Sequence, residues 1–566
     1  MRIFTLRRIS QIFFFALFIW FCVVSTAGYG WTEMRGWPVN WFLQLDPLVA
    51  ISTIFTTHTL YWGLAWALAT VLLTLFVGRV FCSWICPFGT IHHFSSYLAY
   101  RNKKVAKQID MNKYRGAQKI KYYVLLVVLV MAIIPIKNAT LQTGLLDPIP
   151  LVTRSFNLVL LPIMDKPVNE IFSMERFYDG AWFILTVFAA AVLLNFWIPR
   201  FYCRFICPLG ALLGLFSKFS VWTIGRKTKK CINCNYCEKA CQGACQPAST
   251  IRVSECIACF NCLNDCKHEA LEYSPATAVT GEIRNPDISR RGVLMSLATG
   301  VFAVPAIRLS NELGSNWHPQ VIRPPGSLTE ENFLKRCIKR GQCMRICPTN
   351  VIQPAGIAGG IENLWTPVLN NRIGSSGCQY NCVACGQICP TSAIRPITID
   401  EKHGTAKFAD KGPIKMGTAF VDRSKCLPWA MKTPCIVCEE NCPVSPKAIY
   451  THDYFKTIRD GVYTVSSATE NSLTLENADF KENQFDSGDY FCLAPQNEPK
   501  KIITNTKNKL NISNDSKFVK ITTEGRKIEI QIRLQAPQVD IKKCIGCGIC
   551  EHECPVSGKK AIRVTA

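Results

Sequence analysis

Four long apolar runs punctuate the first part of the chain: about Ile9 to Ala27, Thr59 to Val77, Ile120 to Ile136 and Ala181 to Ile198. Each approaches the roughly 20 residues a helix needs to cross the hydrocarbon core of a bilayer. The pattern therefore predicts four transmembrane helices. The first run passes through Trp20, Phe21 and Cys22 into Gly28-Tyr29-Gly30-Trp31 without a small-x-small cleavage site, so it reads as an anchor rather than a removable signal. Farther on, between Tyr450 and Val539, the period changes. Apolar and polar residues alternate in DGVYTVSS, NSLTLEN and RKIEIQIRL, which predicts short strands in a β-rich insert over 450–539.

Charge adds an orientation. Lys and Arg total 64 against 40 Asp and Glu, a net +24 on 566 residues. Between Cys82 and Ile120 stand Arg101, Lys103, Lys104, Lys107, Lys113, Arg115 and Lys119 against Asp110 alone, and the segment from Arg200 to Lys230 is equally basic. The loop from Lys137 to Gly180 is mixed. Basic loops stay inside, so the N-terminus, the 82–120 loop and the segment after Ile198 are expected to face the cytoplasm. A positive charge spread over loops that flank apolar runs belongs to a lipid bilayer, and no nucleic-acid partner is expected.

The first two helical hairpins carry matching punctuation. GRVFCSWICPFG (78–89) aligns with PRFYCRFICPLG (199–210), so Cys82 and Cys86 recur as Cys203 and Cys207, and each hairpin has Leu-Asp-Pro on its outer side, with Asp46 and Asp147. Two hairpins entering from one side form a parallel repeat about the membrane normal. An Asp-Pro pair reads first as a helix N-cap followed by proline at N1; a proton acceptor facing a quinol is the sharper reading. The two C-x3-C-P sites put four thiols at equivalent helix ends, where they serve as packing cysteines or share a metal, a cluster or a redox-active thiol site. His92 and His93 read as a solvated pair at a membrane boundary, with proton handling as the second option.

CINCNYCEKAC (231–241) and CIACFNCLNDC (256–266) share C-x2-C-x2-C-x3-C spacing. Three thiolates two residues apart wrap one face of an iron–sulfur cube, and the fourth cysteine of each run crosses to the other cluster. Zinc sites use two C-x2-C pairs across a longer loop. Two 4Fe–4S clusters follow: Cys231, Cys234 and Cys237 with Cys266, and Cys256, Cys259 and Cys262 with Cys241. Cys245 is an alternative to Cys241 as the crossing ligand, and Lys267 stands where the bacterial pattern has proline.

Four more cysteine groups follow: Cys337, Cys343, Cys347; Cys378, Cys382, Cys385, Cys389; Cys426, Cys435, Cys438, Cys442; and Cys544, Cys547, Cys550, Cys554. Each ends in Cys-Pro. In the first, Arg340 occupies the place of the second cysteine, and a three-thiolate site can hold a 3Fe–4S cluster, recruit another ligand or stay empty. Cys22 and Cys492 are isolated and read as buried packing residues. The absence of CxxCH excludes covalent c-type haem, and no P-loop or dinucleotide fingerprint is present. Between the halves, Ser289-Arg290-Arg291-Gly292 precedes an apolar stretch from Val293 to Ile307 that resembles a twin-arginine export signal; a buried cytoplasmic linker helix is the alternative.

At this point a family resemblance is specific. Residues 1 to about 270 resemble NapH/MauN-type membrane proteins, whose core NosR accessory proteins share, and residues from about 287 to 566, with RPPGSLTEENFLKRC (323–337), resemble NapG/MauM ferredoxins. The resemblance implies a membrane α-helical bundle with four or five transmembrane helices plus α+β polyferredoxin domains. These are a membrane domain (1–222), a cytoplasmic two-cluster ferredoxin module (223–275), a linker with the twin-arginine segment (276–322), a four-motif iron–sulfur domain (323–449 and 540–566) and the β-rich insert. Modules of four motifs commonly pair outer with outer and inner with inner, which implies Cys389 with Cys426, Cys435 and Cys438; Cys442 with Cys378, Cys382 and Cys385; Cys347 with Cys544, Cys547 and Cys550; and Cys554 with Cys337 and Cys343. The implied activity is quinol-dehydrogenase-type electron transfer in the bacterial inner membrane, from the quinol pool to a periplasmic cytochrome or reductase, with the C-terminal half periplasmic. Asp46, Asp147, His92 and His93 are the quinol-site candidates. An accessory electron donor for maturation of a periplasmic metalloenzyme and a cytoplasm-facing polyferredoxin that reduces the quinone pool are the alternatives.

Overall fold

The computed structural model describes residues 3–25, 38–134, 141–165, 175–275, 283–312, 321–356, 360–469, 471–494, 498–513 and 525–566. The Gly28–Trp31 stretch lies outside them. Two compact units are present: residues 1–370 with 381–414, and residues 371–380 with 415–566.

In the first unit the repeat extends well beyond the cysteine motifs. Trp41–Gln44, Pro47–Thr57, Trp62–Val77, Phe81–Trp84 and Pro87–Tyr100 recur in order as Thr143–Leu146, Pro148–Ser155, Ala181–Phe196, Phe201–Phe205 and Pro208–Ser217. Every short helix of the repeat that begins at a proline is preceded by the residue that caps it. Asp46 accepts from the backbone N–H groups of Leu48 and Val49, and Asp147 from that of Ile149, as the Asp-Pro pairs predict. Cys86 and Cys207 do the same with Gly89 and Gly210. Phe18, Phe42, Leu48, Val49, Phe81, Phe88, Tyr122, Ile149, Val152 and Leu213 form one core through both copies.

Two described helical stretches are long and apolar enough to cross a membrane, Ile3–Val24 and Val105–Ile133; the other two expected spans fold as the shorter apolar helices Trp62–Val77 and Ala181–Phe196. The twin-arginine segment opens the helix Arg290–Glu312, which lies against Ile120–Ile133. A Cβ on Gly292 would stand 2.3 Å from the Tyr123 hydroxyl, and one on Gly300 would stand 2.8 Å from Val130 Cβ. Contacts that advance together along both helices mean they run parallel, with Gly292, Ser296 and Gly300 providing the small-residue seam. Leu294, Met295, Val301 and Phe302 are exposed on this helix.

The cysteine-bearing segments of this unit dock at its two ends. At one end Arg79 Nη1 donates to the Ser254 carbonyl at 2.7 Å, Ser83 Oγ to that of Ile257 at 2.7 Å and Trp84 Nε1 to that of Ala258 at 3.1 Å, and Lys121 forms a buried ion pair with Glu255. At the other, Leu141 N donates to the Leu334 carbonyl at 3.0 Å, Thr56 Oγ1 to that of Lys335 at 2.8 Å and Arg154 Nη1 to that of Lys339 at 2.8 Å. Arg345 pairs there with Asp165 at 2.5 and 2.7 Å.

In the second unit the insert is a closed six-stranded barrel of Ile449–Thr469, Ser472–Leu475, Tyr490–Leu493, Lys500–Asn505, Lys509–Ile512 and Lys527–Val539. Its first and last strands pair from Ile449↔Val539 onward, so the insert leaves the chain close to where it entered. Cys492 is buried in its core and Cys22 in that of the first unit. The region expected as one four-motif domain is divided between the two units.

The Arg345–Asp165 pair is fully buried, so removing one partner strands the other charge at a cost of about 3–5 kcal/mol. Asp165→Ala is expected to lower the unfolding temperature in detergent clearly. Asp110→Ala, which breaks a solvated pair with Lys113, should leave it almost unchanged.

Candidate functional site

The first ferredoxin module is closed by the antiparallel strands Trp222–Arg226 and Leu271–Pro275, which bring its two cysteine runs face to face. Cys237 lies within electrostatic reach of Cys266, while Cys256, Cys259 and Cys262 all lie within reach of Cys241. The Cys245 thiol sits 3.2 Å from that of Cys241, so both cysteines that could cross lie at the same place.

In the C-terminal half the crossing partners differ from expectation. One pocket is lined by Cys337, Arg340, Cys343 and Cys389, and another by Cys426, Cys435, Cys438 and Cys554. Cys382 faces Cys347, and Cys550 faces Cys442 as well as Cys544 and Cys547. The first group thus pairs with the second and the third with the fourth, not outer with outer and inner with inner. The reason is local closure. The first group shares one unit with Cys382, Cys385 and Cys389, the third and fourth groups share the other, and the barrel between those two returns the chain to its starting point. Cys378 lies in the second unit, where its backbone N–H donates to the Cys547 carbonyl at 2.7 Å. Cys382, Cys385 and Cys389 lie in the first.

Around the first of these cavities the charge is positive. Burial lowers the Lys339 ammonium to about 7 and the Arg340 guanidinium to about 10, and Lys339 Nζ donates to Gln142 Oε1 at 2.7 Å and to the Glu362 carbonyl at 2.9 Å.

The C-x3-C-P motifs meet inside the first unit. The thiols of Cys82, Cys86, Cys203 and Cys207 lie within electrostatic reach of one another, as their equivalent places in the repeat predict. Among the described residues no three His, Cys, Asp or Glu side chains stand close enough to hold a single metal ion. Gly89 permits the crowding, because a Cβ there would stand 2.3 Å from the Cys82 carbonyl oxygen. Arg79 and Arg200, at equivalent positions of the repeat, are buried beside the thiols, and Arg200 donates to the carbonyls of Cys82 at 3.4 Å and Gly89 at 3.1 Å. Two guanidinium groups therefore stand beside four buried or half-buried thiols.

His92 and His93 are not a solvated pair. The His92 ring is buried against Phe88, with Nδ1 2.9 Å from Asn195 Oδ1, and His93 Nδ1 lies 2.7 Å from Gln242 Oε1. Asp46 and Asp147 are fully buried and lie within electrostatic reach of each other, each spending one carboxylate oxygen on its helix cap. Tyr202, missed in the sequence, donates to the Leu146 carbonyl beside Asp147. Arg79 and Arg200 were also missed, although the aligned repeat carries both.

The pairing is testable by native alkylation followed by mass spectrometry. Cys389→Ser should expose Cys337 and Cys343 to alkylation and leave Cys426, Cys435 and Cys438 protected; Cys554→Ser should do the reverse. The opposite pattern would restore the outer-with-outer arrangement.

A family model described as a 4Fe-4S binding domain matches residues 59–106 and 180–227, which hold both C-x3-C-P motifs, and a second with the same description matches 537–557. An uncharacterized protein of Methanocaldococcus jannaschii is 27% identical over 279 residues, 49% of this chain and 89% of the relative. The ferredoxin-type protein NapH of Escherichia coli is 27% identical over 47% of this chain and 86% of its own length. The methylamine utilization ferredoxin-type protein MauM of Methylorubrum extorquens is 31% identical over 167 residues, 28% of this chain and 70% of MauM. No solved structure matches. With cysteine runs folded to hold 4Fe–4S clusters and these relatives, the chain belongs to the ferredoxin-type family of iron–sulfur electron-transfer proteins that includes MauM.

Proposed function

We propose that this chain is a membrane iron–sulfur electron conduit of the quinol-dehydrogenase type, organised as a NapH-type membrane protein continued by a NapG-type ferredoxin. The observation that carries the reading is the docking of cysteine modules at opposite ends of one helical unit, 231–266 against Arg79, Ser83 and Lys121, and 334–353 against Thr56, Leu141, Arg154 and Asp165. The basic 82–120 and 200–230 segments assign the first end to the cytoplasm, which puts the second in the periplasm. The helix Arg290–Glu312, parallel to Ile120–Ile133 and apolar on its exposed face, takes the chain outward between them.

Oxidation of a quinol releases two electrons and two protons, and clusters accept electrons singly. The C-x3-C-P thiols adjoin the 231–266 module, since Ser83 between Cys82 and Cys86 donates to the Ile257 carbonyl, and electrons leave the periplasmic side to a cytochrome or terminal reductase. An apolar groove lined by Tyr123, Val127, Met131, Gln142, Ser296 and Thr299 suits a quinol ring and tail. Asp46, Asp147 and His92 lie in the packed interior and do not line that groove, so they are not its quinol contacts. A polyferredoxin facing only the cytoplasm does not account for modules at both ends.

An export-dependent reporter fused after Ala566 tests the reading. It is expected to be active in the native chain and silent in an Arg290→Lys/Arg291→Lys variant. A silent reporter on a full-length native chain would put every cluster in the cytoplasm and end the quinol-to-periplasm account.

A further inference from the structure

Arg340 stands where the C-x2-C-x2-C spacing calls for a cysteine, yet the site around it has not closed up. Its pocket keeps the thiols of Cys337, Cys343 and Cys389 together around Arg340, as the four-cysteine pocket keeps those of Cys426, Cys435, Cys438 and Cys554. Arg340 is 5% exposed and lies within electrostatic reach of all three. Its Nη2 donates to the Ile388 carbonyl, while Nη1 is buried with no hydrogen-bond partner among the described residues. An orphaned donor at this depth is costly unless something accepts from it, and the sulfur of a cluster is an acceptor.

A fourth ligand from elsewhere in the protein is not at hand. Among the described residues no Asp, Glu or His lines the cavity. The Lys339 amine is engaged by Gln142 and Glu362, and the Thr391 hydroxyl donates to the Arg336 carbonyl at 2.6 Å. A guanidinium offers donors and no lone pair to a metal, and its charge disfavours an iron cation beside it.

We propose that this site holds a three-iron, four-sulfide cluster on Cys337, Cys343 and Cys389, with Arg340 in the sequence position that would otherwise supply the thiolate of a fourth iron. The inference rests on the reading that these cysteine groups bind iron–sulfur clusters. A cationic donor next to the sulfurs raises the reduction potential, so this cluster fills with an electron before its four-iron neighbours. Its place at the end of the helical unit makes it the collecting point for electrons that cross the unit.

The test is electron paramagnetic resonance on the full-length chain, purified without oxygen and examined oxidised and reduced, with iron and sulfide measured on the same sample. The oxidised protein is expected to give the signal of a three-iron cluster, lost at mild potential, and the reduced protein those of four-iron clusters. Arg340→Cys should lose the oxidised signal and raise the iron-to-protein ratio. Arg340→Ala should keep the signal and titrate at lower potential. Four-iron signals without a three-iron signal in the wild-type protein would overturn the inference alone, whether or not the variants fold. Absence of both would overturn the cluster reading with it. An unchanged signal and iron content in folded Arg340→Cys would also contradict the proposal.

Discussion

Helices that begin inside an apolar unit have to satisfy the N–H groups of their first turn without water. The first unit meets that demand four times with one device, a capping side chain followed by proline: Asp46-Pro47, Cys86-Pro87, Asp147-Pro148 and Cys207-Pro208. Proline removes one orphan donor and the cap takes another. The device also delivers chemistry, since each cap brings a carboxyl or a thiol into the interior. Because it occurs twice in each half of a repeat, the carboxyl groups meet each other and the thiols gather. The breaks in the helices and the gathering of the four thiols are thus a single feature of the sequence.

Once thiols and clusters are buried, charge has to be balanced. Arg79 and Arg200 serve the four thiols, Lys121 is paired with Glu255 beneath the first ferredoxin module, and Arg345 with Asp165 beneath the other. The same groups hold the modules in place. Ser83, between two of the thiols, donates to the carbonyl of Ile257, next to Cys256. At the other end Arg154 joins the carbonyls of Gly144 and Lys339, the latter two residues from Cys337. A covalent and hydrogen-bonded route therefore links the thiol centre to the cluster-binding loop on the 231–266 side, and backbone contact at Gly144 and Ile338 links the repeat to the loop on the other.

Much of this was legible in the sequence. The aligned C-x3-C-P motifs announced the repeat, the C-x2-C-x2-C runs announced the clusters, and the Asp-Pro pairs announced capped helix starts. Spacing is local, however, and what went unread was long-range. The outer-with-outer pairing failed because nothing in the alternation of 450–539 said that the barrel's first and last strands would close on each other at Ile449 and Val539. His92 and His93 looked like a solvated pair because adjacency says nothing of the Phe88 and Asn195 packing that buries the first. Two of the four expected spans fold as the shorter apolar helices Trp62–Val77 and Ala181–Phe196.

The central proposal is that electrons pass from one end of the helical unit to the other by way of the centre formed by the four C-x3-C-P cysteines. The most direct measurement is quinol-driven reduction of a membrane-impermeant acceptor by the full-length chain in sealed vesicles, with the C-terminal face outward, comparing the native chain with Cys82→Ser/Cys203→Ser whose ferredoxin clusters are shown by spectroscopy to be loaded. The account predicts turnover by the native chain and its loss in the variant. Turnover at the native rate by the variant would contradict it.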